Sequence, residues 1–193
     1  MEGHHTYDSQ EQMLADFQTY NGNDVNSSTS IKFIHFVFSS DKLNYDDVLT
    51  TKNIQKVTIY ADGGSRGNPG PSASGFVVID PMTDTVLVDK GMYIGVTTNN
   101  LAEYLALKYG LEEALRMGAC SVTVYMDSML VVNQLKGIFK VRNRDLWPVH
   151  ETIKELITKF ESFTISHVPR EMNRLADAAV NRTLDEALKI ERP

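Results

Sequence analysis

Four acidic residues, Asp62, Glu103, Asp127 and Asp177, are placed where carboxylates could converge on a metal ion that faces a polyanion. Asp62 opens the run Asp62-Gly-Gly-Ser-Arg-Gly-Asn-Pro-Gly70. It follows directly on Lys56-Val-Thr-Ile-Tyr-Ala61, whose apolar and polar residues alternate as in a half-buried strand. An acid leaving such a strand is expected to point at solvent. Four glycines and a proline in the next eight positions supply backbone that can turn sharply and lie close to a bulky partner. Taken alone, the segment reads equally as a tight hairpin or as a phosphate-binding turn. Asp127 repeats the arrangement, ending the alternating run Ser121-Val-Thr-Val-Tyr-Met-Asp127 just before a helical stretch from Ser128 to Leu135. Two acids at the carboxyl ends of separate strands fall where open α/β sheets bind ligands.

Glu103 lies in Thr97-Thr-Asn-Asn-Leu-Ala-Glu-Tyr-Leu105, where Thr and Asn open a helix as caps and apolar residues recur at helical spacing. A solvated Glu near the helix start, favoured by the helix dipole, is the plain alternative. Against it, Leu101, Tyr104 and Leu105 surround Glu103, while the evident surface acids, Glu112 and Glu113, come later. Asp177 sits in Asn173-Arg-Leu-Ala-Asp-Ala-Ala-Val-Asn181, a helix that follows the strand pattern at residues 163–168. Ala176, Ala178 and Ala179 flank it, so this turn can pack tightly and hold the aspartate with little freedom. Singly, each acid reads as a cap or surface group; as a set of four they read as ligands.

Together these segments, in order and at suitable spacing, resemble the type 1 ribonuclease H family: Asp62-Gly-Gly-Ser-Arg-Gly-Asn-Pro-Gly70, Thr97-Thr-Asn-Asn-Leu-Ala-Glu103, Asp127-Ser128 and His167-Val-Pro-Arg-Glu-Met-Asn-Arg-Leu-Ala-Asp177. The resemblance covers residue 55 onward and is nearest the archaeal and minimal bacterial branch that lacks a basic protrusion. It implies a metal-dependent endonuclease that hydrolyses the RNA strand of RNA/DNA hybrids, leaving 5′-phosphate and 3′-hydroxyl ends. Phosphodiester hydrolysis needs an activated water, relief of phosphate charge and a stabilised leaving oxygen, which two divalent ions roughly 3.5 to 4 Å apart can supply. Hard oxygen ligands favour Mg²⁺, with Mn²⁺ as a substitute.

By the same resemblance Asp62 bridges both ions, Asp177 helps hold the ion that activates water, and Glu103 with Asp127 holds the ion near the leaving oxygen. Glu103 is also expected to read a ribose 2′-hydroxyl, the group that separates RNA from DNA. Expected substrate contacts are Gly63, Gly64, Ser65, Asn68, Thr98, Asn99, Asn100 and Ser128, with Thr98 on a DNA phosphate. Met129 stands where several family members carry a polar base-contacting residue. His167 has the sequence distance of the family's proton-shuttling histidine, but the strand pattern and Pro169 suggest that it is fixed in the sheet. Arg170 is then the better candidate beside the scissile phosphate, with an orienting or charge-stabilising role, since Arg is no general base near neutral pH.

These residues need a scaffold. After residue 55 the order reads strand, strand, strand, helix, strand, helix, helix, strand, helix, with strands two and three at residues 75–80 and 85–94. That order implies an α/β, ribonuclease H-like fold: a mixed five-stranded sheet flanked by helices, with an N-terminal extension. Trp147 with Pro148 reads as a core anchor opening a helix. Lys136-Gly-Ile-Phe-Lys-Val-Arg-Asn-Arg-Asp145 is the densest basic stretch, either a solvated connector or a short substrate-facing segment.

The 193 residues, 42% of them hydrophobic, suffice for one sizeable core and an appendage. The net charge of −6 argues against indiscriminate nucleic-acid binding, but it is unevenly spread. Residues 1–54 hold eight acids and three bases, against 17 and 16 in residues 55–193. Bound Mg²⁺ would turn the field at the four acids positive. The division is therefore an extension at 1–54 and a catalytic domain at 55–193. Within the extension, residues 9–20 suggest a short amphipathic helix, 21–30 a linker, and 31–38 an apolar strand that could mediate self-association. No apolar run is long enough to span a membrane, no secretory signal is evident, and the lone Cys120 fits a reducing cytoplasm. A non-catalytic nucleic-acid-binding module on the same fold, or a nuclease acting on double-stranded RNA, is the alternative.

Overall fold

The computed structural model describes residues 55–190. The helix, linker and strand expected at residues 9–20, 21–30 and 31–38 lie outside the described residues. Strand β1 (Lys56–Ser65) alternates as its sequence implies, with Val57, Ile59 and Ala61 buried on one face. It does not stop at Ala61. Gly63 and Gly64 continue the ladder opposite Ser74 and Ala73 of β2 (Gly70–Asp80), and the chain reverses only at residues 66–69, where the Asn68–Pro69 peptide is cis. Asp62 is therefore an interior strand residue opposite Gly75, only 7% exposed, and does not point at solvent as expected. Glycine permits a turn without requiring one, and here extended pairing leaves room for helices on both faces.

β3 (Thr85–Thr97) pairs antiparallel with β2, which starts earlier than residue 75 because Ser72, Ala73 and Ser74 are buried without being large. Helix α1 (Asn99–Arg116) then leads to β4 (Ser121–Met126), which lies parallel beside β1. Helix α2 (Met129–Leu135), a 3-10 turn (Arg144–Leu146) and α3 (Trp147–Ile157) lead to β5 (Ser162–His167), parallel to β4, and α4 (Arg174–Ile190) follows. The sheet order is β3-β2-β1-β4-β5, the mixed five-stranded arrangement the pattern implies. Parallel neighbours need crossovers, and the helices provide them.

One face of the sheet meets α1, α2 and α3: Tyr104, Leu107, Leu111, Val131 and Ile153 pack with Ile59, Val122 and Val124. The other meets α4, through Val180 and Leu184 against Ala73. Two close approaches set the height of the helices. Gly75 and Gly91 are register partners, and a Cβ on Gly75 would lie 2.8 Å from Ala176 O and 2.9 Å from Val180 N of α4. On the opposite face a Cβ on Gly63 would lie 2.1 Å from Glu103 N of α1.

Trp147 is not the core anchor expected of it, being 49% exposed. Leu146, Val149, Ile153 and Leu156 share the helical stripe that faces the core, and position 147 is turned roughly 100° away from Leu146. Its indole N–H donates to Val141 O at 3.0 Å. Among the described residues, no helix is long and apolar enough to cross a membrane.

Candidate active site

Because β1 and β4 run parallel in register, with Tyr60 opposite Tyr125 as the last pair of their ladder, Asp62 and Asp127 emerge side by side just beyond it. Glu103 arrives from the second turn of α1, which Thr98 caps by accepting from the Leu101 N–H at 3.3 Å. One carboxylate oxygen from each of Asp62, Glu103 and Asp127 lies within 4.8 Å of the others. Glu103 is 7% exposed, so the solvated-Glu alternative does not hold.

Three acids this close repel one another. Burial first, then the charges of Asp127 and Asp177, push the Asp62 carboxyl from its ordinary 3.8 up to about 7. Burial followed by Asp62 and Asp127 holds Glu103 well above the usual carboxylate range. A hydrogen bond from the Gly63 N–H and the nearby Arg170 charge pull both groups down, but less strongly. Glu103 Oε2 is buried with no hydrogen-bond partner. Hard oxygens in mutual repulsion, one of them unsatisfied, suit a divalent cation, so the residues present fit such a group.

Asp177 stands at the rim of this set. It lies in the first turn of α4, its Oδ1 accepting from Arg170 and its Oδ2 from Asn181 Nδ2 at 3.0 Å. Three of the four expected ligands thus converge, while the fourth is held by an exposed guanidinium and remains close enough to raise Asp62. Arg170 opens a 3-10 turn after Pro169. His167 ends β5 opposite Met126, exposed but fixed in the sheet as its sequence suggests.

Several expected substrate contacts have duties within the protein. Gly63 faces α1 and Gly64 faces Val180 of α4. The Ser65 hydroxyl donates to the Gly67 carbonyl, and Asn68 Oδ1 accepts from the Asn99 N–H at 3.2 Å. With Thr98 as the cap, the Asn68–Asn99 bond seats the β1–β2 turn on the start of α1, while the Ser65 bond holds the turn itself. Asn100 is exposed in that first turn, and Ser128, at the cap position of α2, makes no side-chain capping bond. Met129 beside it is 55% exposed.

Asn173 was not among the expected site residues. It is fully buried, and its Nδ2 donates to Ala61 O at 3.0 Å and to Asp127 Oδ1 at 2.9 Å. Asn181, one helical turn beyond Asp177, was also missed. The spacing of four residues was the signal that could have found it.

The parallel insertion of β4 beside an antiparallel meander, with acids at the shared edge, defines a ribonuclease H-like fold. A family model described as "Reverse transcriptase-like" matches residues 60–183. The crystal structure of RNase H1 from the halophilic archaeon Halobacterium salinarum is 41% identical, covering 68% of this chain and 98% of that one, with a TM-score of 0.66. LC11-RNase H1, solved in complex with an RNA/DNA hybrid, is 39% identical over 68% of this chain and 99% of that one, with a TM-score of 0.65. A bifunctional protein of Mycobacterium tuberculosis is 44% identical over 132 residues, which are 68% of this chain and 36% of that protein, so the chain spans about a third of that relative. The chain belongs to the ribonuclease HI family.

Proposed function

We propose that this chain is an endonuclease that hydrolyses the RNA strand of RNA/DNA hybrids with Mg²⁺, or Mn²⁺ in its place, leaving 5′-phosphate and 3′-hydroxyl ends, and that residues 55–193 carry the activity. The observation behind this reading is the convergence of Asp62, Glu103 and Asp127 within 4.8 Å, with a buried Glu103 oxygen left without a partner. The likeness to LC11-RNase H1, solved with an RNA/DNA hybrid, supports the choice of substrate.

Asp62, Glu103 and Asp127 would hold the metal, with Asp177 beside them. Bound divalent ions supply positive charge for the attacking water, the phosphate and the leaving oxygen. The protein's own groups do the rest. Glu103 presents a carboxylate that can accept a hydrogen bond from a ribose 2′-hydroxyl, a donor that deoxyribose lacks. Arg170 is exposed and permanently charged, and it steadies Asp177 while offering a guanidinium to the scissile phosphate. Because it cannot take a proton near neutral pH, its part is orientation and charge stabilisation. Asn100, exposed at the start of α1, would help read the RNA strand, Ser128 would contact the substrate, and the segment from Lys136 to Arg144 would offer cations to the substrate's phosphates.

The test is cleavage of an end-labelled RNA/DNA hybrid beside single-stranded RNA, double-stranded RNA and double-stranded DNA, with Mg²⁺, Mn²⁺ or EDTA. Metal-dependent cutting of the RNA strand of the hybrid, lost in Asp62→Asn, is the expected result. No cutting by folded protein under any metal condition would favour the non-catalytic binding module.

A further inference from the structure

We infer that Asn173 is a positioning residue that sets the geometry of the metal-binding carboxylates. The inference rests on the metal-dependent reading above and deepens it.

The side chain is fully buried in a place where burial is costly. Its amide nitrogen has two donor hydrogens, and both are used: one on the carbonyl of Ala61, the residue before Asp62, and one on Asp127 Oδ1. Those two partners accept only, so the amide cannot be turned round without setting its oxygen against both. The oxygen, in the orientation that remains, is buried with no partner. Packing alone would be served better by an apolar residue, because an unsatisfied buried acceptor is unfavourable.

The backbone of Asn173 is committed as well. Its N–H donates to Arg170 O at 2.9 Å, and its carbonyl accepts from the Asp177 N–H at 3.1 Å. One residue is thus bonded to the neighbour of Asp62, to the carboxylate of Asp127, and to the backbone of both Asp177 and Arg170. These groups come from β1, the end of β4, the turn before α4 and α4 itself. Among the described residues, no other one in the site is seen to tie together as many of the acid-bearing elements. Asp127, which has one oxygen fixed by Asn173, keeps its orientation when no ion is present. The coordinating set is therefore preorganised, and its geometry does not depend on the ion to assemble it.

The experiment measures Mn²⁺ binding calorimetrically in the full chain, without substrate, for the native protein and Asn173→Ala, beside steady-state cleavage of the hybrid and the far-ultraviolet circular dichroism spectrum. Loss of an outer hydrogen bond to a metal ligand is expected to weaken Mn²⁺ binding about 10- to 100-fold and to lower kcat at limiting metal by a similar factor, with the KM for hybrid changed about twofold or less. Raising the metal concentration should restore much of the rate, which a general loosening of the fold would not allow. If Asn173→Ala does not fold, Asn173→Ser, with one shorter donor, takes its place and should also bind Mn²⁺ less tightly. Native Mn²⁺ affinity in a folded variant would overturn the inference. Failure of the native protein itself to bind Mn²⁺ would instead overturn the metal-dependent reading of the site.

Discussion

Replacing Gly63 with alanine should damage the site far more than a single methyl group suggests. The added Cβ would lie 2.1 Å from Glu103 N, 2.2 Å from Ala102 C and 2.6 Å from Ala102 O, all backbone atoms of α1. Favourable carbon contacts begin at about 3.5 Å, so the shortest of these is roughly 1.4 Å too close. No rotamer change relieves a clash with helical backbone; α1 must withdraw, and Glu103 travels with it. Overpacking of this kind costs about 1–3 kcal/mol of stability. A misplacement of about 1 Å at a reacting centre costs on the order of 10²-fold in rate. Urea unfolding would report the first and steady-state hybrid cleavage the second. Gly64→Ala is the control, since its nearest neighbour is a Val180 methyl at 2.7 Å, the end of a side chain that can adjust. It should stay within about fivefold of native activity. Native activity in Gly63→Ala, or greater damage from Gly64→Ala, would refute the idea that backbone proximity at Gly63 positions Glu103.

Metal-free protein should lose stability relative to Asp62→Asn as pH rises from about 4 to 7. Across that window the folded state keeps the proton on Asp62 that the unfolded chain has already released, and above about 7 the difference should level off. Thermal melts in EDTA would show it, and a difference that moved the other way would contradict the repulsion described for the site. Arg170→Ala should slow turnover by about 10²-fold while His167→Ala stays within a few-fold; the reverse ranking in steady-state kinetics would restore the histidine as proton carrier. The chain has a single tryptophan, and Trp147 lies half exposed with the Arg144 guanidinium 5.9 Å from its ring centroid. Its emission should shift when hybrid binds in EDTA, with a shallow dependence on salt, and unchanged emission at saturation would place the basic segment away from the substrate.

The order of strands and helices was legible because each has its own hydrophobic period and its own caps. Thr98 and the apolar spacing of residues 101–107 announce α1 without any tertiary information. Asp62 and Asp127 could be matched because parallel strands carry their carboxyl ends to one edge. What sequence hides is whatever depends on a distant surface. The buried state of Asp62, and the start of β2 at Gly70, follow from helices that press on small residues, and small residues carry little strand signal. Trp147 misled because size suggests burial, while the stripe through Leu146 and Val149 decides which way the helix faces. Asn173 directly precedes a helix and looks like an ordinary local cap. Its side-chain partners lie 112 and 46 residues away in sequence, where no local pattern can point.

Gly63 and Gly64 are consecutive, yet one meets α1 and the other α4 on the opposite face of the sheet. The helices that carry Glu103 and Asp177 therefore rest on a partition one strand thick. On the α1 side, side-chain drift elsewhere in the core has little purchase on that separation, because nothing thinner than a bare backbone is available and anything thicker meets the backbone of the helix. Recombination between relatives would have to respect the same limit: an exchanged α1 fits only if it brings a surface cut for bare glycine, so β1 and α1 would be inherited as one block.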